Sequence, residues 1–231
     1  MSEHIIYKIP YEDNIWFSPA KVITHYMSLT DKERKQYSVQ EQQAMKEAFY
    51  AANMLLGISE GTHREYWLQM VHPREQRPDI CTMYVEPRAD KSDHMFIQDL
   101  EITEYEDHSQ ESIPDFLKRT KLTSKKNYTP DTSILCFINK TIPLPDWKAI
   151  HKELKGLKSP LATYLLGQTD PDRLTFQLAQ VNPVLSNPIV YNVRESAKRW
   201  CSVNTKKMKR GTYKSSTLLS EEHHFPFWEK K

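Results

Sequence analysis

The sequence predicts an α/β protein with a mixed central sheet and helices on both faces of that sheet. Segments of helical spacing alternate with segments of two-residue periodicity, in the order helix, three strands, helix, strand, helix, two strands. Residues 133–138, SILCFI, are apolar throughout, which is typical of a strand buried on both faces in a parallel arrangement. We expect one domain over residues 1–231, with a core at about 38–181, a lead-in at 1–37 and a basic extension at 182–231.

The first long helix is predicted to begin after Ser38. Ser38 and Glu41 form a capping-box pattern, in which each side chain accepts a hydrogen bond from the other residue's backbone N–H. The following run, VQEQQAMKEAFYAANMLL, is rich in helix formers, and its alanines indicate close packing against a sheet. We expect this helix to end at Gly57, because helices commonly end at glycine. Glu41 and Glu47 could point toward a site, but we expect a capping role for Glu41 and solvent exposure for Glu47.

Three strands are predicted to follow as an antiparallel meander. The first contains EYWLQMV, and the turn-rich segment PRADKSD joins the second strand, near residues 79–85, to the third, near 95–105. Because successive side chains of a strand point to opposite faces, Asp99 and Glu101 should share one face and Leu100 should lie on the other.

The rest of the chain is predicted from helix caps, glycine and proline positions, and periodicity. The remaining predicted elements are a short helix after Ser18, helices that begin after Ser112 and Asp146, strands at 162–168 and 173–181, and a helix within residues 195–209. These elements complete a sheet in which the central strands are flanked by helices.

Pairing of the second and third strands would gather carboxylates at one end of the sheet. Asp79 would then come close to Asp99 and Glu101, and like charges at that distance repel and raise one another's pKa. A divalent cation with oxygen ligands, Mg²⁺ or Mn²⁺, is the natural counter-charge for such a group. These three residues are therefore the candidate metal ligands. The alternative is a turn residue at Asp79 and an exposed strand face at Asp99 and Glu101.

The order of elements, with Pro78-Asp79 on the second strand and acids on the third, resembles the PD-(D/E)XK nuclease-like superfamily over about residues 38–181. The resemblance implies a restriction-endonuclease-like three-layer sandwich and metal-dependent hydrolysis of phosphodiester bonds in DNA or RNA. It assigns Asp79 as the first metal ligand and Glu101 as the second. In the alternative register Asp99 is the second acid. We expect Asp99 to orient the attacking water.

A lysine two residues after the second acid completes the motif in that superfamily, where it polarises the scissile phosphate or the attacking water. Thr103 stands at this position here, or Glu101 in the alternative register. Lys118 or Lys121 on the next helix, or Lys140 after the fourth strand, could reach the site instead. The catalytic candidates are thus Asp79, Asp99, Glu101 and Thr103. The alternative function is an inactive member of the fold that serves as a nucleic-acid-binding or protein-interaction module.

The charged residues are unevenly distributed although the net charge is only +2. Six acids and no lysine or arginine lie between residues 99 and 111, whereas five bases lie in 118–126 and seven in 198–214. This pattern suits a protein that holds a metal ion and a polyanion together, although solvated faces would also explain it. The candidate nucleic-acid-binding residues are Lys118, Lys121, Lys198, Arg199, Lys206, Lys207, Lys209 and Arg210.

Several classes of protein are disfavoured by what the sequence lacks. The three cysteines are scattered singly, which argues for reduced thiols and against a zinc site. No apolar run approaches the ~20 residues of a membrane span, and residues 1–13 lack the basic start and apolar core of a secretory signal, so we expect a cytoplasmic protein. We expect a nucleic-acid partner and consider a homodimer. A third hypothesis is a regulatory or accessory protein that acts through its C-terminal region.

Overall fold

The computed structural model describes residues 14–70, 78–87, 92–106, 111–122, 128, 132–139, 146–157, 162–202, 205–208 and 213–214. The strands are β1 (Asn14–Phe17), β2 (Tyr66–Met70), β3 (Ile80–Pro87), β4 (Ser92–Glu106), β5 (Thr132–Asn139), β6 (Ala162–Asp170), β7 (Thr175–Asn182), β8 (Ile189–Asn192), β9 (Thr205–Met208) and β10 (Tyr213–Lys214). The helices are α1 (Pro19–Ser28), α2 (Asp31–Arg34), α3 (Val39–Thr62), α4 (Ile113–Thr120), α5 (Trp147–Leu154) and α6 (Val193–Trp200).

These strands form one mixed sheet, in the order β8-β7-β6-β5-β4-β3-β2-β1-β9, and β10 pairs with β4. The predicted meander is confirmed, because β2, β3 and β4 pair antiparallel in succession. The apolar strand β5 lies parallel between β4 and β6, and β7 then pairs antiparallel with β6. The sequence-based prediction of an α/β protein with a mixed sheet is therefore confirmed.

Helices cover both faces of the sheet, as predicted. Along β5, Leu135 and Phe137 belong to the buried cluster that includes α1 and α3, whereas Ile134 and Cys136 belong to the cluster that includes α4 and α5. Helix α6 packs beside α3 on the first face. Because each face of β5 is covered by helices, the strand can be apolar throughout without exposing hydrophobic surface.

Helix α3 begins as predicted but ends later than predicted. The Ser38 hydroxyl accepts from the Glu41 N–H at 3.2 Å, and the Glu41 carboxylate accepts from the Ser38 N–H at 2.8 Å. The predicted end at Gly57 is wrong, because the helix continues to Thr62 and is followed by a left-handed residue, His63, with φ 55°. Gly57 instead marks a close approach of the helix to the sheet.

The close approach at Gly57 leaves no room for a side chain. A Cβ atom there would lie 2.7 Å from Tyr191 Cε1 and 2.8 Å from Leu178 Cδ2. Tyr191 is fixed in turn, because its hydroxyl donates to the Asn53 carbonyl oxygen at 2.5 Å. The glycine thus permits α3 to pack onto β7 and β8.

We expect Gly57→Ala to lower the free energy of unfolding by about 1–3 kcal/mol through overpacking, even though alanine favours helix by about 1 kcal/mol. Gly61→Ala is the matched control on the same helix, because its Cβ would meet only the end of the flexible Ile189 side chain. Urea unfolding of both variants measures the difference. Equal stabilities would show that α3 is free to move away from the sheet.

The C-terminal part of the structure differs from the secondary structure that the sequence predicts. The expected helix at 195–209 is wrong beyond Trp200, where α6 ends, and residues 205–208 form the edge strand β9. β9 pairs antiparallel with β1, which lies within the predicted irregular lead-in. A pairing between Asn14 and Met208 leaves no local pattern in either segment, which is why periodicity did not reveal it.

None of the helices in the described residues is long and apolar enough to cross a membrane.

Candidate active site

The candidate site lies where β3 and β4 separate. Their pairing ends at Ile80 and Leu100, and β4 continues alongside β5 to Glu106. Asp79 immediately precedes β3, and its Oδ2 accepts a hydrogen bond of 2.7 Å from the Ile102 N–H. The Asp79 carboxylate therefore replaces the backbone carbonyl that would accept this hydrogen bond from a neighbouring strand. Its orientation is set by the backbone of β4.

One ammonium group bridges two carboxylates at this position. Lys121 Nζ lies 3.0 Å from Glu101 Oε2 and 3.7 Å from Asp79 Oδ2. Glu101 is 4% exposed and Lys121 is 9% exposed, so most of the solvent that would screen these charges is excluded. Two charges that are removed from water in this way depend on each other, because either one alone would be buried uncompensated.

Helix α4 delivers this lysine. Its N-cap Ser112 accepts from the Asp115 N–H, and the fully buried Leu117 anchors it in the core on its face of the sheet. Lys121 follows the last turn, and its backbone N–H donates to the Leu117 carbonyl oxygen at 2.9 Å. Lys118 points elsewhere and pairs with Asp115 at 3.4 Å. Of the lysines considered from the sequence, Lys121 thus reaches the site, and Lys140 lies outside the described residues.

Helix α3 brings a further carboxyl group to the same region. Glu47 is partly buried, and its Oε1 accepts a hydrogen bond of 2.8 Å from the Gln43 side-chain amide. Burial, followed by the charge of Asp79, raises the pKa of Glu47 to about 7, while Lys121 acts in the opposite direction. The expectation that Glu47 faces solvent is therefore wrong.

The sequence did contain a signal for Glu47. It lies on one helical stripe with Ala44, Ala51 and Met54, at spacings of three, four and seven residues, and the last two of these are buried. An acid within an apolar stripe is unusual for a solvent-facing helix surface. The position of the stripe relative to the strands, however, depends on the fold.

Asp99 and Thr103 lie on either side of Glu101 along β4. Asp99 pairs with Cys81 across the strands, and the Cys81 thiol lies 3.8 Å from Asp99 Oδ1. Thr103 is partly buried and lies beside Cys136 of β5, whose pKa is raised to about 12 by burial. The predicted alternation is confirmed, because Leu100 and its same-face neighbours belong to the core under α3.

The expected three-carboxylate group does not form. Within the described ranges, which include all three residues, no three His, Cys, Asp or Glu side chains lie close enough together to hold an ion. Asp79 and Glu101 come together around Lys121. Asp99 lies two residues before Glu101 on β4 and is opposite Cys81. The physical reason is that Asp79 sits outside the regular ladder and turns toward Ile102 rather than toward Asp99.

Glu104 occupies the opposite face of β4, as its position in the strand predicts. Tyr50 and Asn139 donate to its Oε1 at 3.0 and 2.9 Å, and Lys46 pairs with its Oε2. The Tyr50 ring also stacks on Phe137 at 3.9 Å between centroids, and burial raises the pKa of the Tyr50 hydroxyl. Glu104 therefore cross-links α3, β4 and β5.

The remaining basic candidates are spread over the C-terminal elements. Lys198 is exposed in the last turn of α6, and Arg199 pairs with Glu60 of α3 at 2.6 Å. Lys206 and Lys207 lie on the edge strand β9. Lys209 and Arg210 lie outside the described residues. Of the basic candidates whose side chains the structure describes, Lys121 directs its charge into the site, whereas Lys118 and Arg199 pair with Asp115 and Glu60.

No protein family, curated protein or solved structure matches the chain. The function is therefore inferred from the geometry of the site.

Proposed function

We propose that the protein is a divalent-metal-dependent nuclease with a restriction-endonuclease-like fold, which hydrolyses phosphodiester bonds in DNA or RNA. The observation that carries the proposal is the meeting of Asp79, Glu101 and Lys121 where β3 and β4 separate. The order of α3, the β2–β3–β4 meander, α4 and the parallel strand β5 supports the fold assignment.

The donor atoms suit a hard cation. Asp79 and Glu101 would hold Mg²⁺ or Mn²⁺, because both ions prefer carboxylate oxygens. The bound ion would lower the pKa of a water ligand and stabilise charge on the phosphate. Asp79 is oriented for this role by the Ile102 N–H, so its Oδ2 cannot turn away from the site without breaking that hydrogen bond.

Two further residues would act on the proton and on the phosphate. Lys121 supplies the positive charge that the family motif would place at Thr103, and it does so from the end of α4. Glu47 has a pKa of about 7, so near neutral pH its carboxyl group can either hold or accept a proton.

The proposal is tested by cleavage of labelled single- and double-stranded DNA and RNA with Mg²⁺, Mn²⁺ or EDTA. We expect metal-dependent cleavage by the wild type and a loss of at least about a thousandfold in Asp79→Asn and Glu101→Gln, because both residues act on the transition state. Glu86→Gln, at the other end of β3, is the control and should retain activity. Absence of cleavage of every substrate by the folded wild type would refute the proposal.

A second candidate function is a nucleic-acid-binding module without catalysis. It is favoured by the buried contacts of Lys121 with Asp79 and Glu101, which neutralise the acids within the protein itself. In that case the basic C-terminal segment would bind the phosphate backbone. We expect the joint replacement of Lys206, Lys207, Lys209 and Arg210 by Gln to weaken binding. The slope of the logarithm of the binding constant against the logarithm of the salt concentration should become shallower by about 0.7–0.9 for each phosphate contact that is lost. Fluorescence anisotropy at several salt concentrations measures both quantities, and an unchanged slope would contradict this role.

A further inference from the structure

The position of Lys121 has a consequence for how the site would take up metal, and this inference rests on the proposed function. We propose that the Lys121 ammonium stands in for the divalent cation in the metal-free protein, and that metal binds only by displacing it from Asp79. The lysine would then set the metal affinity of the site and would be released toward the substrate when the metal enters.

We assign as metal ligands the two carboxylate oxygens that face the lysine. Asp79 Oδ2 and Glu101 Oε2 both lie within 3.7 Å of Lys121 Nζ. A Mg²⁺ ion stands about 2.1 Å from an oxygen ligand, so an ion bound to either oxygen would lie close to the ammonium group. Two positive groups that close repel, and the burial of Glu101 and Lys121 limits how far solvent screens the repulsion.

The lysine is the part of this arrangement that can move. Asp79 Oδ2 is held by the Ile102 N–H at 2.7 Å, and the Glu101 side chain is 5% exposed and has a shorter stem than the lysine. Lys121 lies beyond the last turn of α4, and its four-carbon stem can adopt other rotamers. An entering cation would therefore displace the ammonium rather than either carboxylate.

The two contacts of the lysine are unequal, which indicates the direction of the movement. Its contact with Glu101 is 3.0 Å and involves a side chain that is 5% exposed, whereas its contact with Asp79 is 3.7 Å and involves a side chain that is 25% exposed. The Asp79 contact is the weaker of the two because it is longer and better solvated. Lys121 would leave Asp79 first and stay near Glu101, where it could meet a phosphate oxygen.

Calorimetric titration of Mn²⁺ into the full-length protein tests this inference directly. We expect Lys121→Met to bind Mn²⁺ at least about tenfold more tightly than the wild type, because the competing positive charge is gone. Lys118→Met, in the last turn of α4 and paired with the exposed Asp115, is the matched control and should bind like the wild type. Equal or weaker binding by Lys121→Met would overturn the role of the lysine while leaving a metal-dependent nuclease intact. Absence of Mn²⁺ binding in both proteins would overturn the metal site and the displacement together.

A second measurement uses the wild type, in case Lys121→Met does not fold. NMR of isotopically labelled lysine ammonium groups should show a solvent-protected signal for Lys121 in metal-free protein, assigned by its absence in Lys121→Arg. Saturation with Mg²⁺ should shift or remove that signal, because the ammonium loses its contact with Asp79 and becomes more exposed to solvent. A protected signal that stays unchanged at saturating Mg²⁺ would overturn the inference.

Discussion

Replacement of Lys121 by Met is expected to lower the free energy of unfolding by about 3–5 kcal/mol, the usual cost of removing one partner of a buried ion pair. The loss arises because Glu101, 4% exposed, would keep a charge with its nearest counter-charge gone. Urea unfolding followed by tryptophan fluorescence, at about pH 8 in EDTA, measures the change.

Two comparison variants separate this explanation from a general loss of packing at Lys121. Lys118→Met removes an exposed pair with Asp115 and should have no measurable effect. Glu101→Leu combined with Lys121→Met removes both buried charges and should recover most of the stability lost in the single variant. A double variant that is less stable than Lys121→Met would show that packing of the lysine stem, not charge pairing, is responsible.

The stability of the protein is expected to fall between about pH 4.5 and 7 because of Glu47. The pKa of this carboxyl group is raised from 4.5 to about 7 in the folded state, so the folded protein binds the proton more tightly than the unfolded chain does. The protonated Glu47 carboxyl group therefore makes its full contribution to stability below pH 4.5, and this contribution is lost as the pH rises through about 7. The full pKa difference corresponds to about 3 kcal/mol, and we expect about half of it because solvent screens a partly exposed group.

Glu47→Gln isolates this effect, because glutamine keeps the shape of the side chain and cannot ionise. In EDTA, the free energy of unfolding of the variant minus that of the wild type should increase by about 1–2 kcal/mol as the pH rises from about 5 to about 8. The measured quantity is the difference in free energy of unfolding between the two proteins at each pH. A difference that stays constant across this range would mean that Glu47 titrates normally and lies away from the other acids.

Local patterns were sufficient to predict the central elements. The capping box at Ser38, the two-residue alternation in β4 and the continuous apolar run of β5 each reflect forces that act within one segment. The order of these segments then restricts the topology, because neighbouring strands in sequence usually pair. The α/β class and the β2–β3–β4 meander could therefore be predicted from the local patterns and the order of the segments.

The site was predicted only in part, because its geometry depends on where the segments meet. Asp79 and Glu101 could be placed together by strand pairing, but the entry of Lys121 depends on where α4 ends and how it packs on β4. Asp99 was grouped with them by alternation alone, which does not show that Asp79 turns toward Ile102. Long-range pairings such as β1 with β9 leave no signal in either segment.

The pairing of β1 with β9 also has a consequence for the order in which the chain can fold as it is synthesised. From β1 to β8 each strand lies beside its predecessor, so the sheet can grow strand by strand as the polypeptide leaves the ribosome. Two strand edges are exceptions: the start of β4, which pairs with the late strand β10, and the outer edge of β1, whose partner β9 is made about 190 residues later. Throughout that interval β1 presents unpaired backbone groups, which makes it the natural contact point for chaperones or for aberrant association of nascent chains.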